Sequence, residues 1–163
     1  MTIDILSDLH IDFYFRHHIT HEAVESVYTH IFTNNGRRDV GDVLLVAGDL
    51  GHYNNQNIEV LKLIREVFKY EHIICVLGNH DYYLIDIASK KEFANDSLER
   101  VKHMRSLINK QNGMYCLNGD VIEIDGVKIG GCDSWYDGEY IKKHFKDEVW
   151  NIKKDDSYIE SLW

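Results

Sequence analysis

Three short apolar-rich runs, spaced along the first half of the chain, constrain its fold more than any other feature. They cover residues Ile3–Leu6, Val43–Ala47 and Ile73–Leu77. Runs of aliphatic residues without regular alternation are typical of strands that are buried on both faces. Between them, His21–Phe32 and Ile58–Tyr70 carry apolar residues three or four positions apart, the spacing of amphipathic helices. The order strand, helix, strand, helix, strand predicts parallel βαβ units and an α/β fold.

A third helix is predicted beyond these units. It begins near Asp96, where Glu99 stands three residues later as the partner in a capping box, and Gly113 is expected to cap its C-terminus. Its apolar face should contain Leu98, Val101, Met104, Leu107 and Ile108.

Short strands are predicted in the next part of the chain, and two glycine-containing dipeptides interrupt them. Asn118-Gly119 and Asp125-Gly126 tolerate positive φ, so both are predicted to form tight hairpin turns. The strands themselves are Tyr115–Leu117, Val121–Ile124 and Val127–Ile129. No repeat and no change of composition typical of a linker occurs, and we therefore interpret residues 1–163 as one domain.

Composition narrows the class of protein. Hydrophobic residues make up 44% and charged residues 28% of the 163 residues, which excludes disorder as the main state. No apolar window approaches the ~18 residues of a membrane span, and the N-terminus lacks a signal-peptide pattern. The net charge of −9 disfavours nucleic acid and anionic membranes as partners. Three cysteines without C-x-x-C spacing predict buried thiols and a cytoplasmic location.

Polar residues of one chemical kind follow each of the three apolar runs. The loops after the carboxyl ends of parallel strands share one edge of a sheet, so these residues should meet in space. Alone, an aspartate at a strand end more often caps a turn, and it is the joint occurrence that predicts a site. Two carboxylates, an imidazole and an amide oxygen suit Mn²⁺, Fe or Zn²⁺ better than Cu(I). Such a set can be drawn from the polar residues that follow the three runs, which are Asp8, His10, Asp49, Asn79, His80 and Asp81.

The first of these groups has a spacing of two. In Asp8-Leu9-His10, an extended backbone would point both polar side chains to one side and Leu9 to the other.

Three motifs resemble those of a known family. Ser-Asp-Leu-His at 7–10, Ala-Gly-Asp-Leu at 47–50 and Gly-Asn-His-Asp at 78–81 are similar, in order, spacing and strand context, to the first three motifs of the calcineurin-like metallophosphoesterases. The resemblance covers roughly residues 1–135. It implies an αββα sandwich and a centre of two divalent metal ions that hydrolyses phosphate esters, with Mn²⁺ expected first and Fe or Zn²⁺ as alternatives.

The resemblance also implies a role for each motif residue. Asp8 and His10 would ligate one metal ion, Asp49 would bridge both ions, and Asn79 would ligate the other. His80 would protonate the leaving-group oxygen as a general acid. Paired metal ions ~3.5–4 Å apart clamp phosphoryl oxygens and lower the pKa of a water molecule, which yields a hydroxide nucleophile.

Two residues near these motifs depart from the family's pattern or leave alternatives open. Where the family usually has a further acidic or amide residue, this sequence has His52. We interpret His52 as an ordinary loop histidine, with a contact to the substrate or to the metal ligands as the alternative. Asp12 is either an ordinary loop carboxylate or a group that orients His10 or a metal-bound water.

The C-terminal histidines of the family are not found in this sequence. After His80 it has only His103 and His144, and it contains no G-H-x-H motif. Each metal ion would then lack one or two protein ligands. We therefore expect the chain to be the N-terminal portion of a longer enzyme. A natural short form completed by water or another subunit, and a degenerate member with one metal ion or none, stay open.

The expected function is metal-dependent hydrolysis of a phosphate-ester small molecule or a nucleotide. A phosphatase, a phosphodiesterase and a nuclease are all compatible with the motifs, although the acidic balance disfavours the nuclease. The alternative is a non-catalytic binding or scaffold domain of the same fold. An unrelated nucleotide-binding domain is disfavoured because both glycine-rich phosphate-binding motifs are missing from the sequence. The sequence makes no prediction about the oligomeric state.

Overall fold

The structure is a computed structural model that describes residues 1–16, 19–34, 36 and 38–133. Residues Met1–Asp133 form one compact unit. The interpretation of residues 1–163 as a single domain extends beyond the described residues and stays a prediction.

A parallel sheet of four strands lies at the centre of this unit. Its strands follow one another in chain order as β1 (Ile3–Leu6), β2 (Val43–Ala47), β3 (His72–Val76) and β4 (Met114–Cys116). Every neighbouring pair is parallel, with Leu6 opposite Val46 and Val46 opposite Cys75, for example. The predicted βαβ order is therefore confirmed, and each strand lies within one residue of its predicted position.

Within the described residues, five α-helices and one 3₁₀ helix connect the strands of the parallel sheet. They are α1 (Ile11–Tyr14), α2 (His21–Phe32), α3 (Asn54–Phe68), the 3₁₀ helix (Asn79–Tyr82), α4 (Ile87–Glu92) and α5 (Ser97–Asn109). α2 has its predicted bounds, whereas α3 begins at Asn54 instead of Ile58. Its first turn is anchored by buried amides, since Asn54 Nδ2 donates to the carbonyl of Arg100 and Asn57 Nδ2 to that of Gly51. A search for apolar periodicity overlooks such polar residues.

The ends of α5 confirm one predicted cap and correct another. Asp96 is the N-cap, and its carboxylate accepts bonds from two backbone N–H groups of the first turn. The prediction that Glu99 completes a capping box was wrong, because the backbone N–H of Asp96 donates to the carbonyl of Phe93 and the carboxylate of Glu99 accepts a bond from Lys102. The expectation that Gly113 caps the helix was wrong, because α5 ends at Asn109. Gly113, with φ +72°, lies in the turn that leads into β4.

An antiparallel hairpin forms a second, smaller sheet from β5 (Asp120–Ile124) and β6 (Val127–Gly131). Asp125 and Gly126 have φ values of +50° and +78°, which confirms the predicted turn. The second predicted hairpin was wrong. Asn118-Gly119 joins two different sheets, because β4 pairs with β3 whereas β5 pairs with β6.

Two apolar clusters lie on opposite faces of the parallel sheet. Side chains of α2, α3 and α5 pack against Leu44, Val46 and Ile73 on one face. The hairpin covers the other face, where Ile124 packs with Val43, Ile74 and Leu117. Alternating strand residues therefore point into different clusters, as the pleat requires. The result is a mixed α/β fold consistent with the predicted sandwich, and its described layers are helices, parallel sheet and hairpin.

Several apolar residues that were predicted to be buried are exposed. Ile5 is 67% exposed because β1 lies at the edge of the sheet. Ile31 is exposed in α2, where the buried positions recur every four residues and end at Phe32. Leu98 is exposed in α5 because the buried face of that helix begins with Arg100.

The cysteines follow the prediction in part. Cys75 and Cys116 are buried on neighbouring strands and form no disulfide, whereas Cys132 is exposed. Burial raises the pKa of the Cys116 thiol to about 12, which makes it chemically inert.

Among the described residues, none of the helices combines the length and the apolar character that crossing a bilayer requires.

Candidate active site

The loops that follow β1, β2 and β3 meet at one edge of the parallel sheet. Three backbone hydrogen bonds of 2.8–3.1 Å join the first loop to the second. They run from the N–H groups of Asp8, His10 and Ile11 to the carbonyls of Gly48, Asp49 and Leu50. The predicted meeting of motifs that are distant in the sequence is therefore seen in the structure.

One histidine or aspartate from each of these loops contributes to a tight polar group. His10, Asp49 and His80 each offer a ligand atom, and these atoms lie within 4.8 Å of one another. The rings of His10 and His80 pack edge to face, with centroids 4.6 Å apart. The backbone N–H of His80 donates to Asp49 Oδ1 at 2.9 Å, which fixes the orientation of that carboxylate.

The donor atoms of this group fit a divalent cation. Two imidazoles and a carboxylate are ligands that Mn²⁺, Fe and Zn²⁺ share. Nδ1 of His10 is buried, and within the described ranges it has no hydrogen-bond partner. Buried polar atoms are nearly always satisfied, so an unpaired imidazole nitrogen in this polar group is compatible with a site that a ligand completes.

The backbone at these positions is strained. Asp8, His10 and Asp49 have φ values of +57°, +39° and +57°, in the left-handed region that residues other than glycine rarely adopt. The expectation of an extended Asp8-Leu9-His10 segment was therefore wrong, although Leu9 is buried and Asp8 is exposed, as that spacing also predicted. Strain of this kind is concentrated at functional sites, where surrounding contacts hold it in place.

Asp8, another predicted ligand, lies outside this three-residue group, and Asn79 begins the 3₁₀ helix that also contains His80. The Asp8 side chain is 64% exposed, with Oδ1 at 3.8 Å from Nε2 of His10. Asn79 donates from Nδ2 to the hydroxyl of Tyr83, so its Oδ1 is the end that remains for a cation. The structure thus groups His80 with His10 and Asp49. The ligand roles of Asp8, His10, Asp49 and Asn79 stay predictions, as does the role of His80 as an acid.

Glycine at position 78 permits the close approach of the second and third loops. A Cβ atom on Gly78 would lie 2.2 Å from Asp49 Oδ1 and 2.7 Å from the backbone nitrogen of Asp49. Neither atom can move away cheaply, because the first is held by the His80 N–H and the second is backbone.

A buried aspartate ties these two loops together. Asp81 is 1% exposed and accepts hydrogen bonds from the backbone N–H groups of Leu50, Gly51 and Gly78. Burial raises the pKa of Asp81 to about 6, although those bonds and the charge of Arg100 act in the opposite direction. Asp81 belongs to the third motif, but sequence reasoning gave it no role.

A buried arginine of α5 also connects these two loops. Arg100 is fully buried, and its guanidinium donates to the carbonyls of His80, Tyr83 and Gly51 at 2.7–3.0 Å. It thereby fixes the backbone on both sides of the polar group. Sequence reasoning missed Arg100, although its place next to Val101, on the apolar face of α5, was an available signal.

A second polar network contacts His80 at its Nδ1 atom. Nδ1 of His52 lies 2.9 Å from Oδ2 of Asp12, and the backbone N–H of His52 donates to Oδ1 of the same carboxylate at 3.1 Å. Nε2 of His52 in turn lies 3.1 Å from Nδ1 of His80. Asp12 therefore orients His52 and not His10, and the interpretation of His52 as an ordinary loop histidine is wrong.

Burial and charge shift two pKa values in this network. Burial lowers the pKa of His80, whereas the carboxylate of Asp49 acts to raise it. For Asp12, burial acts to raise the pKa, but the hydrogen bonds from His52 outweigh it and leave the pKa below its usual value. Asp12 is therefore ionised at neutral pH and can only accept hydrogen bonds.

Comparison with known proteins decides the family. The sequence matches the calcineurin-like phosphoesterase family over residues 1–160. This chain belongs to the calcineurin-like phosphoesterases. Their fold accounts for the sheet edge at which the three motif loops meet.

One curated relative of this phosphoesterase is a symmetrical bis(5′-nucleosyl)-tetraphosphatase from Pseudomonas syringae pv. syringae (strain B728a). The two sequences are 34% identical over 71 residues, which amount to 44% of this chain and 22% of the relative. The matched segment thus spans about a fifth of the relative's length. Calcineurin-like phosphoesterases generally use divalent metal ions, and the donor set of His10, Asp49 and His80 fits such ions.

Proposed function

We propose that this protein hydrolyses phosphate esters with two divalent metal ions held at the carboxyl edge of the parallel sheet. The observation that carries the proposal is the convergence, from three separate loops, of the proposed ligands His10 and Asp49 with the proposed proton donor His80, whose polar atoms lie within 4.8 Å of one another. Membership of the calcineurin-like phosphoesterases supports phosphoester hydrolysis in general.

In this proposal the motif residues divide the ligand positions among themselves. Asp49 would serve both ions, Asp8 and His10 would hold one, and Asn79 would hold the other through Oδ1. When bound, the ions supply Lewis-acid polarisation of the phosphoryl oxygens and a nucleophile from water at neutral pH. The oxygen and nitrogen donors favour Mn²⁺, with Fe or Zn²⁺ as alternatives.

His80 is proposed to donate a proton from Nε2 to the leaving-group oxygen. Its Nδ1 is engaged by His52, so Nε2 is the ring nitrogen that remains for this step. Its backbone is fixed by the N–H bond to Asp49 and by the bond from Arg100 to its carbonyl. A lowered pKa makes the protonated imidazole a stronger acid.

We propose a nucleotide-like phosphate ester as the substrate, because the curated relative is a bis(5′-nucleosyl)-tetraphosphatase. The net charge of −9 disfavours a nucleic acid, since a duplex or single strand needs a basic surface for binding. The cysteine pattern supports a cytoplasmic location.

Hydrolysis assays with matched variants test the proposal. The wild type should hydrolyse p-nitrophenyl phosphate or bis(p-nitrophenyl) phosphate when Mn²⁺, Fe²⁺ or Zn²⁺ is added. Asp49→Asn should lower the affinity for metal and abolish turnover, because a bridging carboxylate serves both ions. His80→Ala should retain its metal content while turnover falls about 100-fold or more. Asp125→Asn, in the hairpin turn, is the matched control and should behave as the wild type.

Two results would contradict these assignments. Hydrolysis of neither ester with any of the three metals would contradict the enzymatic function. Loss of metal from His80→Ala to the same extent as from Asp49→Asn would show that His80 is a ligand and not the proton donor.

A second candidate is a non-catalytic domain of the same fold. The observation that favours it is that, among the described residues, the exposed Asp8 stands outside the group formed by His10, Asp49 and His80. Calorimetric titration with Mn²⁺ separates the two candidates, because this second one predicts binding of one ion or none and no hydrolysis.

A further inference from the structure

We propose that Asp12 and His52 are positioning residues that set the tautomer of His80 and thereby prepare it for proton donation. The inference rests on the proposed function of His80 and assigns a role to two residues outside the ligand set. It follows from the continuous series of contacts Asp12–His52–His80, in which the three polar contacts measure 2.9–3.1 Å.

The direction of these bonds follows from Asp12. An ionised carboxylate only accepts hydrogen bonds, so Nδ1 of His52 must carry a proton. In a neutral His52 ring, Nε2 is then an acceptor. Its partner at 3.1 Å, Nδ1 of His80, must therefore carry a proton as well. The carboxylate thus determines the tautomer of a ring that it does not touch.

Packing holds this arrangement in a single geometry. The side chains of His52 and Asp12 are 10% and 13% exposed, so water competes weakly for their bonds. Asp12 is bound twice by the same residue, through the backbone and the side chain of His52. A Cβ atom on Gly51 would lie 2.7 Å from Asp12 Oδ1, so only glycine leaves room for the carboxylate at this place.

This tautomer is the one that proton donation from Nε2 leaves behind. In the step, the bond from phosphorus to the leaving-group oxygen breaks, and a bond from phosphorus to the oxygen of water forms. The N–H bond at Nε2 of protonated His80 breaks as well, and its proton forms an O–H bond on the leaving group. The proton that the water loses balances the one that His80 gives. The ring becomes neutral and keeps its proton at Nδ1, where His52 already accepts it. No rearrangement of protons within the ring is needed, which is the contribution of the two positioning residues.

Asp12→Asn tests the series of contacts at the residue farthest from His80. The asparagine Oδ1 can keep the bond from the His52 N–H, which places its Nδ2 where Oδ2 was. Nδ2 is a donor, so His52 must accept at Nδ1 and carry its proton at Nε2. His80 must then accept at Nδ1, and its neutral ring carries the proton at Nε2. This one isosteric substitution should therefore move the ring proton of both neutral histidines from Nδ1 to Nε2.

Nitrogen chemical shifts of the histidine side chains, measured by NMR on the metal-free protein, report this directly. The wild type should show Nδ1–H on both His52 and His80, and Asp12→Asn should show Nε2–H on both. His52→Gln should keep Nδ1–H on His80, because its amide can donate to Asp12 and accept from His80. Asp96→Asn, at the N-cap of α5, should leave both rings unchanged. An Nε2–H tautomer of His80 in the wild type, or no change in Asp12→Asn, would overturn the proposal.

Kinetics of the Mn²⁺-loaded protein supply a second readout that a merely structural role would not move. Acid assistance matters most for a poor leaving group. Asp12→Asn should therefore lower kcat for ethyl phosphate about 10–100-fold, with little change in KM and a much smaller loss for p-nitrophenyl phosphate. His52→Gln should restore most of the activity that His52→Ala loses. Equal losses for both esters would overturn the proposal. A wild type without activity would instead refute the proposed function, and the NMR measurement would still decide the tautomers.

Discussion

The two ends of the parallel sheet each contain a buried aspartate, and the two carboxylates are held in different ways. Asp4, at the end opposite the candidate site, accepts bonds from Arg38, the Tyr70 hydroxyl and the Gly41 N–H at 2.6–2.9 Å. Asp81, at the site, accepts bonds from backbone N–H groups, and its nearby cation, Arg100, donates to carbonyls.

The pKa values of the two carboxylates follow this difference. Burial acts to raise the pKa of Asp4, but its hydrogen bonds and the charge of Arg38 outweigh it and leave the pKa below 3.8. Burial raises the pKa of Asp81 to about 6 in spite of its bonds. The negative charge of Asp4 is therefore stabilised at one end of the sheet. The other carries an unfavourable buried charge together with left-handed aspartate and histidine backbones, and functional sites commonly retain such strain.

Metal affinity should separate the two ends of the sheet through Gly78→Ala. Its Cβ atom would displace the Asp49 carboxylate, so we expect the affinity for Mn²⁺ to fall about 10–100-fold, as with other losses of groups that orient ligands. Isothermal titration calorimetry measures this change. Gly130→Ala is the matched control, because its Cβ atom would meet Val121 Cγ2 at 3.5 Å and the carbonyl oxygen of Asp120 at 3.8 Å, both ordinary van der Waals contacts. Unchanged metal affinity in Gly78→Ala would show that the close approach is not needed.

The largest effect on stability should come from removing the buried cation at the site end. Arg100→Met leaves three carbonyls without their donor and Asp81 without its nearby positive charge, so we expect a loss of about 3–5 kcal/mol in the free energy of unfolding. Urea denaturation measures this loss. Arg38→Met, at the other end, should lose only about 1 kcal/mol, because that side chain is partly exposed. Equal losses would contradict the contrast between the ends.

The smallest of the three effects should come from Asp4→Asn, and it should depend on pH. The pKa of Asp4 is lower in the folded protein than its unfolded value of 3.8, so its contribution is complete above that value and is lost as the pH falls through the folded pKa. We expect Asp4→Asn to cost about 1–3 kcal/mol at pH 7. Urea denaturation at a series of pH values should show the difference from wild type shrinking below about pH 4. A difference that stays constant down to pH 2 would contradict this assignment.

The order of strands and helices was predictable because it depends on burial alone. β2 and α2 have the bounds that their apolar residues predict, and the convergence of the three motif loops follows from parallel strand order. The family was likewise accessible, since its motifs occupy those loops.

Other features depend on partners that are distant in the sequence. Asp4 lies within an apolar-rich run, and its burial depends on Arg38, Gly41 and Tyr70, which a local pattern cannot reveal. The burial of Arg100 likewise depends on partners distant in the sequence, because its acceptors are carbonyls of two other loops. Asn118-Gly119 has the composition of a hairpin turn, but which strands pair was decided by the packing of β4 beside β3.

The left-handed backbones of Asp8, His10 and Asp49 restrict how this site can evolve. Asparagine, aspartate and histidine are the non-glycine residues that adopt such φ values most readily, and they are also common ligands of divalent cations. The backbone conformation of the loops and their metal-binding chemistry therefore both favour asparagine, aspartate and histidine. A descendant that exchanged Asp49 for asparagine would keep the loop while weakening the ligand, whereas valine would disrupt both. Exchanges among these three residue types can change the metal preference of the site, or remove metal binding, without altering the fold.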